Sequence, residues 1–253
     1  MTTQYKCKAA ISNNTELRRV LTVQERQRKQ KSCVGVFRQA AERLFVSSFQ
    51  ILVAKNEIDR STPIGKMIDS YLHSQSDLDD HVVHLLFSAN RWEFASTILS
   101  YLKQGKLVLC DRYAFSGIAF SVAKSSETPI STASHSESSL EKLSPITLPW
   151  ARAPDSALPS PDLTMFLDIS PEVALTRGGY GEERYEKADM QRRVRNVFEE
   201  IGRQVGATVE EAGNGRWVVV DAGRDMSAVT EEMWGHVQPL LDGVDSPVGR
   251  LWE

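Results

Sequence analysis

Three stretches of the chain share one pattern, a nearly continuous apolar run that closes on a carboxylate or a turn and is followed by residues at helical spacing. They begin at Lys106 (KLVLCDRYAFSG), Asp162 (DLTMFLDISPEVAL) and Arg216 (RWVVVDAGRDMSAV). Runs without polar alternation belong to strands covered on both faces, and their separation by helices predicts parallel pairing. A fourth run, Phe49-Gln-Ile-Leu-Val-Ala-Lys55, precedes the polar turn Asp59-Arg60-Ser61-Thr62-Pro63. Together they predict an α/β fold, a doubly wound parallel sheet with helices on both faces. Ligands of such sheets bind beyond the carboxyl ends of the strands, where Asp59, Asp111 and Asp221 lie.

The stretch from Asp77 to Gly105 predicts one long helix, because acidic residues open it, apolar residues recur at helical spacing and a glycine stops it. Phe87 and Arg91 are four apart and project from one face, so a ring and a guanidinium can meet a planar ligand together. Residues 125–147 are rich in Ser and Thr and contain two prolines, which predicts a mobile surface insertion. The first 48 residues differ from the rest. Leu17–Val23 is their one strand-like patch, Gln24–Lys31 is a solvated basic run, and Phe37–Phe45 predicts a short amphipathic helix.

Length and composition narrow the function classes. The 253 residues suffice for a sizeable core, and 41% apolar with 25% charged residues is ordinary for a soluble globular chain. A net charge of -3, from 30 basic against 33 acidic residues, supplies no overall attraction to nucleic acid or an anionic membrane, so any anion site is local. Cys7, Cys33 and Cys110 form neither a disulfide framework nor a metal-ligand pattern, which suits a reducing compartment. No window approaches the ~18 consecutive apolar residues of a membrane span, and the opening residues lack a signal-peptide core. The expected location is the cytoplasm, with the nucleus as a second.

From about residue 49 onward, six stretches occur in an order that resembles the thymidylate kinases. They are Asp59–Lys66, Asp80–Glu93 (DHVVHLLFSANRWE), Asp111–Gly117 (DRYAFSG), Trp150–Asp155, Leu158–Asp162 and Arg177–Glu186 (RGGYGEERYE). The resemblance implies a P-loop-kinase-like sheet, transfer of a phosphoryl group from ATP to dTMP, a hydrated Mg2+ and a homodimer. It also implies roles residue by residue. Arg60 and Arg112, on turns, would grip the dTMP phosphate through paired charge-assisted hydrogen bonds, surface ion pairs being the alternative. Phe87 would stack on thymine and Arg91 donate to a thymine carbonyl, unless Phe87 is a plain core residue. Phe120 would lie against the sugar or simply pack. Asp111 would orient the Mg2+, or else cap a helix or partner an arginine. Residues 177–186 would form a lid over ATP, with Arg177 against adenine and Tyr185 facing the acceptor. Arg224, in Asp221-Ala-Gly-Arg224, would sit near the adenine or belong to an ordinary turn.

One part of the resemblance fails. The phosphate-binding motif G-x-x-x-x-G-K-[ST] does not occur: Gly65-Lys66 is followed by Met67 and Gly105-Lys106 by Leu107. The backbone N–H groups, lysine and hydroxyl of that loop cradle the donor phosphates and Mg2+. The lid carries acidic residues at Glu182 and Glu183, so the extra catalytic arginine expected in the phosphate loop is lost too. Such arginines are worth about 10³ to 10⁵ in rate, which predicts severe impairment. Residues 1–48 are therefore an atypical segment and 49–253 the kinase-like domain, with the central first strand missing or replaced. Either Val20–Val23 or Ser32–Phe37 substitutes for that strand, or the opening is not the natural one and reflects an altered exon, a frameshift or a misassigned start; this second explanation is preferred. Two further readings stand beside the enzyme, a non-catalytic dTMP-binding module and an aberrant product that does not fold stably.

Overall fold

The computed structural model describes residues 19–25, 51–54, 60–126, 144–170, 173, 188–207, 216–242 and 247–253. Each apolar run becomes a strand: β2 (Ile51–Ala54), β3 (Leu107–Asp111), β4 (Leu163–Asp168) and β5 (Arg216–Asp221). A further strand, β1 (Arg19–Glu25), precedes them. All pair in parallel, in the order β2-β3-β1-β4-β5. The centre of the sheet is thus occupied, in line with the alternative that the Val20–Val23 patch replaces the missing first strand. Arg19–Glu25 contains the Val20–Val23 patch, and it runs between β3, with Val23 opposite Asp111, and β4, with Glu25 opposite Leu167. A gap there would leave two rows of backbone N–H and C=O groups unpaired, so the best available apolar patch takes the position.

The side chains of β3 and β4 divide between two buried clusters, as a sheet covered on both sides requires. Val108, Cys110 and Phe166 face a cluster with the helices α2 (Asp80–Lys103), α3 (Ala114–Ser125) and α5 (Ala188–Ala207). Leu107, Leu109, Leu163, Met165 and Leu167 face the other, against α6 (Met226–Val237). Two shorter helices, α1 (Pro63–Leu72) and α4 (Leu148–Arg152), complete the α-helices among the described residues.

The long helix forms as its sequence predicts. Asp79 caps α2 by accepting from the His81 N–H at 2.9 Å, and Gly105 ends it at a φ of 71°, a conformation that favours glycine. Thr62 caps α1 by accepting from the Gly65 N–H at 3.0 Å. The ends of the Ser/Thr-rich insertion meet, because the Ile146 N–H donates to Ser125 Oγ at 2.7 Å and Ile146 is buried in the core. Residues 127–143, and the helix expected at Phe37–Phe45, lie outside the described residues. The chain's last residues, Pro247–Glu253, return to the core, where Leu251 is buried.

Candidate active site

The carboxyl ends of the strands define one edge of the sheet. β1 leaves it at Glu25, β3 at Asp111 and β4 at Asp168. After Asp111 the chain turns sharply into α3 through Arg112, whose φ is 67°, a left-handed conformation costly for any residue with a Cβ. Tyr113 follows, buried, with its hydroxyl donating to the Pro159 carbonyl at 3.2 Å. Burial holds that phenol well above its usual pKa, so it stays protonated as the donor. Two turns along α3 the Phe120 ring lies 5.5 Å from the guanidinium carbon of Arg112, and both side chains are half-buried. The structure therefore brings these two expected site residues together.

Arg91 is held differently. Its Nε donates to Asp155 Oδ1 at 3.0 Å and its Nη2 to Asp155 Oδ2 at 2.6 Å, a two-pronged pair in which both side chains are almost wholly buried. Ser88 Oγ donates to the same carboxylate at 2.7 Å. Gly117 on α3 makes room for the guanidinium, since a Cβ there would lie 2.8 Å from Arg91 Nη1. Arg91 thus joins α2, α3 and the Ala153–Asp155 turn at one point. Deleting one member of such a pair leaves a buried charge uncompensated, at about 3–5 kcal/mol.

The same face of α2 carries His84, seven residues before Arg91 and fully buried. Its Nδ1 pairs with Ser121 Oγ on α3 and its Nε2 with the Ala151 carbonyl on α4, both at 2.8 Å. Burial pushes its pKa below the usual value, and the nearby Arg91 charge acts the same way. A neutral ring with its proton on Nε2 donates to Ala151 and accepts from Ser121. Phe87, one turn before Arg91, is half-buried.

Arg60 is exposed, with its Nη1 2.8 Å from Asp69 Oδ1 in a surface ion pair. The turn that bears it is nevertheless pinned to α2. Thr62 Oγ1 donates to Glu93 Oε2 at 2.9 Å and accepts from Asn90 Nδ2 at 3.1 Å. The Arg60 turn is thereby tied to Asn90 and Glu93, which flank Arg91 on α2, while the Arg91 guanidinium lies against Gly117 of α3. Arg224 stands apart at the edge strand. It binds the Asp221 carbonyl and the Glu232 carboxylate, within its own loop and helix. Asp59, Arg177 and Tyr185, and with the latter two the lid, lie outside the described residues.

Sequence reading missed Asp155, Ser88 and Gly117 as partners of Arg91. The available signals were the carboxylate that ends Ala-Arg-Ala-Pro-Asp155 and the helical spacing of His84, Ser88 and Arg91. Cys110 contributes no nucleophile, because burial pushes its thiol up to about 12. Among the described residues no group of three or more His, Cys, Asp and Glu side chains could hold a metal. Asp111 is a single half-buried carboxylate at a strand end, and this suits a Mg2+ held chiefly by phosphates and water.

The five-stranded order with β1 at its centre, the arginine turn after β3 and helices on both faces define a P-loop-kinase-like α/β protein. A family model for thymidylate kinase matches residues 50–233. The chain is 40% identical over 195 residues to the thymidylate kinase of Danio rerio, covering 77% of this chain and 79% of that protein. It is 37% identical over 196 residues to that of Homo sapiens, covering 77% and 80%. The structure of a thymidylate kinase from Candida albicans superposes with a TM-score of 0.70 at 30% identity, covering 94% of this chain and 99% of that one. The chain belongs to the thymidylate kinase family.

Proposed function

We propose that this chain binds dTMP at the edge formed by α2, α3 and the Arg60 turn, as the acceptor half of a thymidylate kinase that makes dTDP and ADP from dTMP and ATP in dTTP biosynthesis. Arg112 and Arg60 take the dTMP phosphate, Phe87 stacks on thymine, and Arg91, fixed by Asp155, presents its guanidinium to a thymine carbonyl. Phe120 lies against the sugar and Tyr185 faces the acceptor. Arg177 and Arg224 attend the adenine of ATP. In the transfer, an oxygen of the dTMP phosphate attacks the γ-phosphorus in line, and the bond from that phosphorus to the β-γ bridging oxygen breaks. Mg2+ would be held at Asp111 and would neutralise charge on the donor phosphates. Closure of residues 177–186 would keep out water, which otherwise competes as acceptor.

What supports this reading most is the Asp111-Arg112 turn with Phe120 packed beside the guanidinium, inside the matched span. We propose a homodimer as well, and a cytoplasmic location with the nucleus as a second. No helix among the described residues is long and apolar enough to cross a membrane. A second reading, a non-catalytic dTMP-binding protein, draws support from the lack of G-x-x-x-x-G-K-[ST] in the sequence.

Titration calorimetry on the full chain separates the two. Binding of dTMP without MgATP supports the non-catalytic protein, and binding of both supports the kinase. Arg112→Ala should weaken dTMP binding by roughly 10–100-fold, the loss of charge-assisted hydrogen bonds worth about 1.5–3 kcal/mol. It should leave thymidine binding unchanged. Failure of the parent to bind dTMP would refute both readings.

A further inference from the structure

The segment Pro247–Glu253 closes onto the loop Ala157–Ser160 through four hydrogen bonds. The Ala157 N–H donates to the Leu251 carbonyl at 3.0 Å, the Leu251 N–H to the Leu158 carbonyl at 2.9 Å, and the Ser160 N–H to the Gly249 carbonyl at 2.8 Å. Arg250 Nη1 donates to the Ala157 carbonyl at 2.8 Å. An antiparallel bridge pairs Pro159 with Arg250. Leu251 is 2% exposed, and the Trp252 ring meets Phe115 edge-on at 6.0 Å and 87°. The guanidinium carbon of Arg152 sits 5.8 Å over the same indole.

Two physical routes run from this contact to the acceptor site. The clamped loop begins two residues after Asp155, whose carbonyl accepts from the Leu158 N–H at 3.2 Å and whose carboxylate holds Arg91. The same loop offers the Pro159 carbonyl to Tyr113, the residue after Arg112, while Trp252 presses on Phe115 in the first turn of α3. Backbone strain collects along these routes. Arg112, Ala157 and Trp252 have φ of 67°, 71° and 56°, three of the four non-glycine residues with positive φ among those described. Each such residue costs about 1–3 kcal/mol and persists only where its surroundings over-determine it.

We infer that residues 249–252 form a strap that positions Arg91 and Arg112 for the acceptor nucleotide, with Leu251 and Trp252 as positioning residues. The inference rests on the acceptor-site reading above. Neither side chain touches the nucleotide. They act by fixing the loop that carries the Arg91 partner and the turn that carries Arg112.

Calorimetric titration of dTMP into the full chain, with thermal unfolding measured in parallel, tests it. Trp252→Ala should weaken dTMP binding about tenfold, within the range carried by packed side-chain couplings, and Trp252→Phe should recover most of the loss by restoring an aromatic contact with Phe115. Should Trp252→Ala fail to unfold cooperatively, Arg250→Gln, an exposed change that removes one strap hydrogen bond, should still weaken dTMP binding about threefold, in the same range of couplings. A lower Tm with unchanged dTMP affinity would show that the segment merely seals the core and would overturn the inference. So would a phenylalanine variant as weak as the alanine one. A parent chain that binds no dTMP is seen before any variant is made, and it refutes the acceptor reading and the strap with it.

Discussion

His84 shows how one buried side chain makes the α2–α3–α4 junction sensitive to acid. It faces Ser121, the Ala151 carbonyl, the Trp150 ring and, further off, Arg91 and Asp155. Because burial lowers its folded pKa below the unfolded value of 6.5, the unfolded chain binds the proton more tightly. The stability contributed by neutral His84 is therefore complete above pH 6.5 and is lost as pH falls through the folded pKa. Urea unfolding between pH 7.5 and 5 should show a falling free energy, about 1.4 kcal/mol for each unit separating the two pKa values. His84→Asn should flatten that dependence. At this scale the sequence was partly legible. The motif Asp-Arg-Tyr marked the Arg112 turn. The carboxylate that holds Arg91 lies 64 positions away, and no local period points to such a partner.

The packing of α5 on β5 turns on glycine. A Cβ on Gly202 would fall 2.6 Å from Trp217 Nε1 and 3.0 Å from its Cε2, whereas one on Gly206 would meet nothing within 4 Å. Trp217 has little room to retreat, because Phe115 stands edge-on to its ring at 5.4 Å and Phe166 and Phe198 flank it. Alanine gains about 0.8–1 kcal/mol of helix propensity over glycine, and overpacking against a rigid ring costs about 1–3 kcal/mol. Gly202→Ala should therefore destabilise and Gly206→Ala stabilise, with Tm moving roughly 2–4 °C per kcal/mol in a chain of this size. Equal shifts in a thermal melt would contradict this. The strands were the most legible elements, because burial on both faces writes a continuous apolar run. β1 was the least legible. Its run is short, begins with Arg19 and ends with Gln24 and Glu25, so its central place follows from its partners' unpaired edges more than from its own composition.

The proposed homodimer has a candidate face on the outside of α2. Val82, Leu85 and Trp92 recur at helical spacing and are 43%, 46% and 42% exposed. If a second copy covers this face, light scattering should report a dimer, and Leu85→Glu should yield a folded monomer because the side chain is exposed. A parent that stays monomeric at micromolar concentration would rule the arrangement out. The doubly wound architecture was legible from the alternation of strands and helices, and its family from six ordered motifs. The occupant of the central position was legible only as one of two candidate patches, since the sequence there carries none of the expected fingerprint. That occupant also sets the order of events at the ribosome. β1 is synthesised first, yet both of its neighbours, β3 and β4, lie far downstream. Parallel pairing across such sequence separation is slow, so the nascent chain must carry an unmatched strand until most of the polypeptide has emerged. Chaperone engagement of this protein should therefore concentrate on the nascent state, before Leu163–Asp168 leaves the exit tunnel.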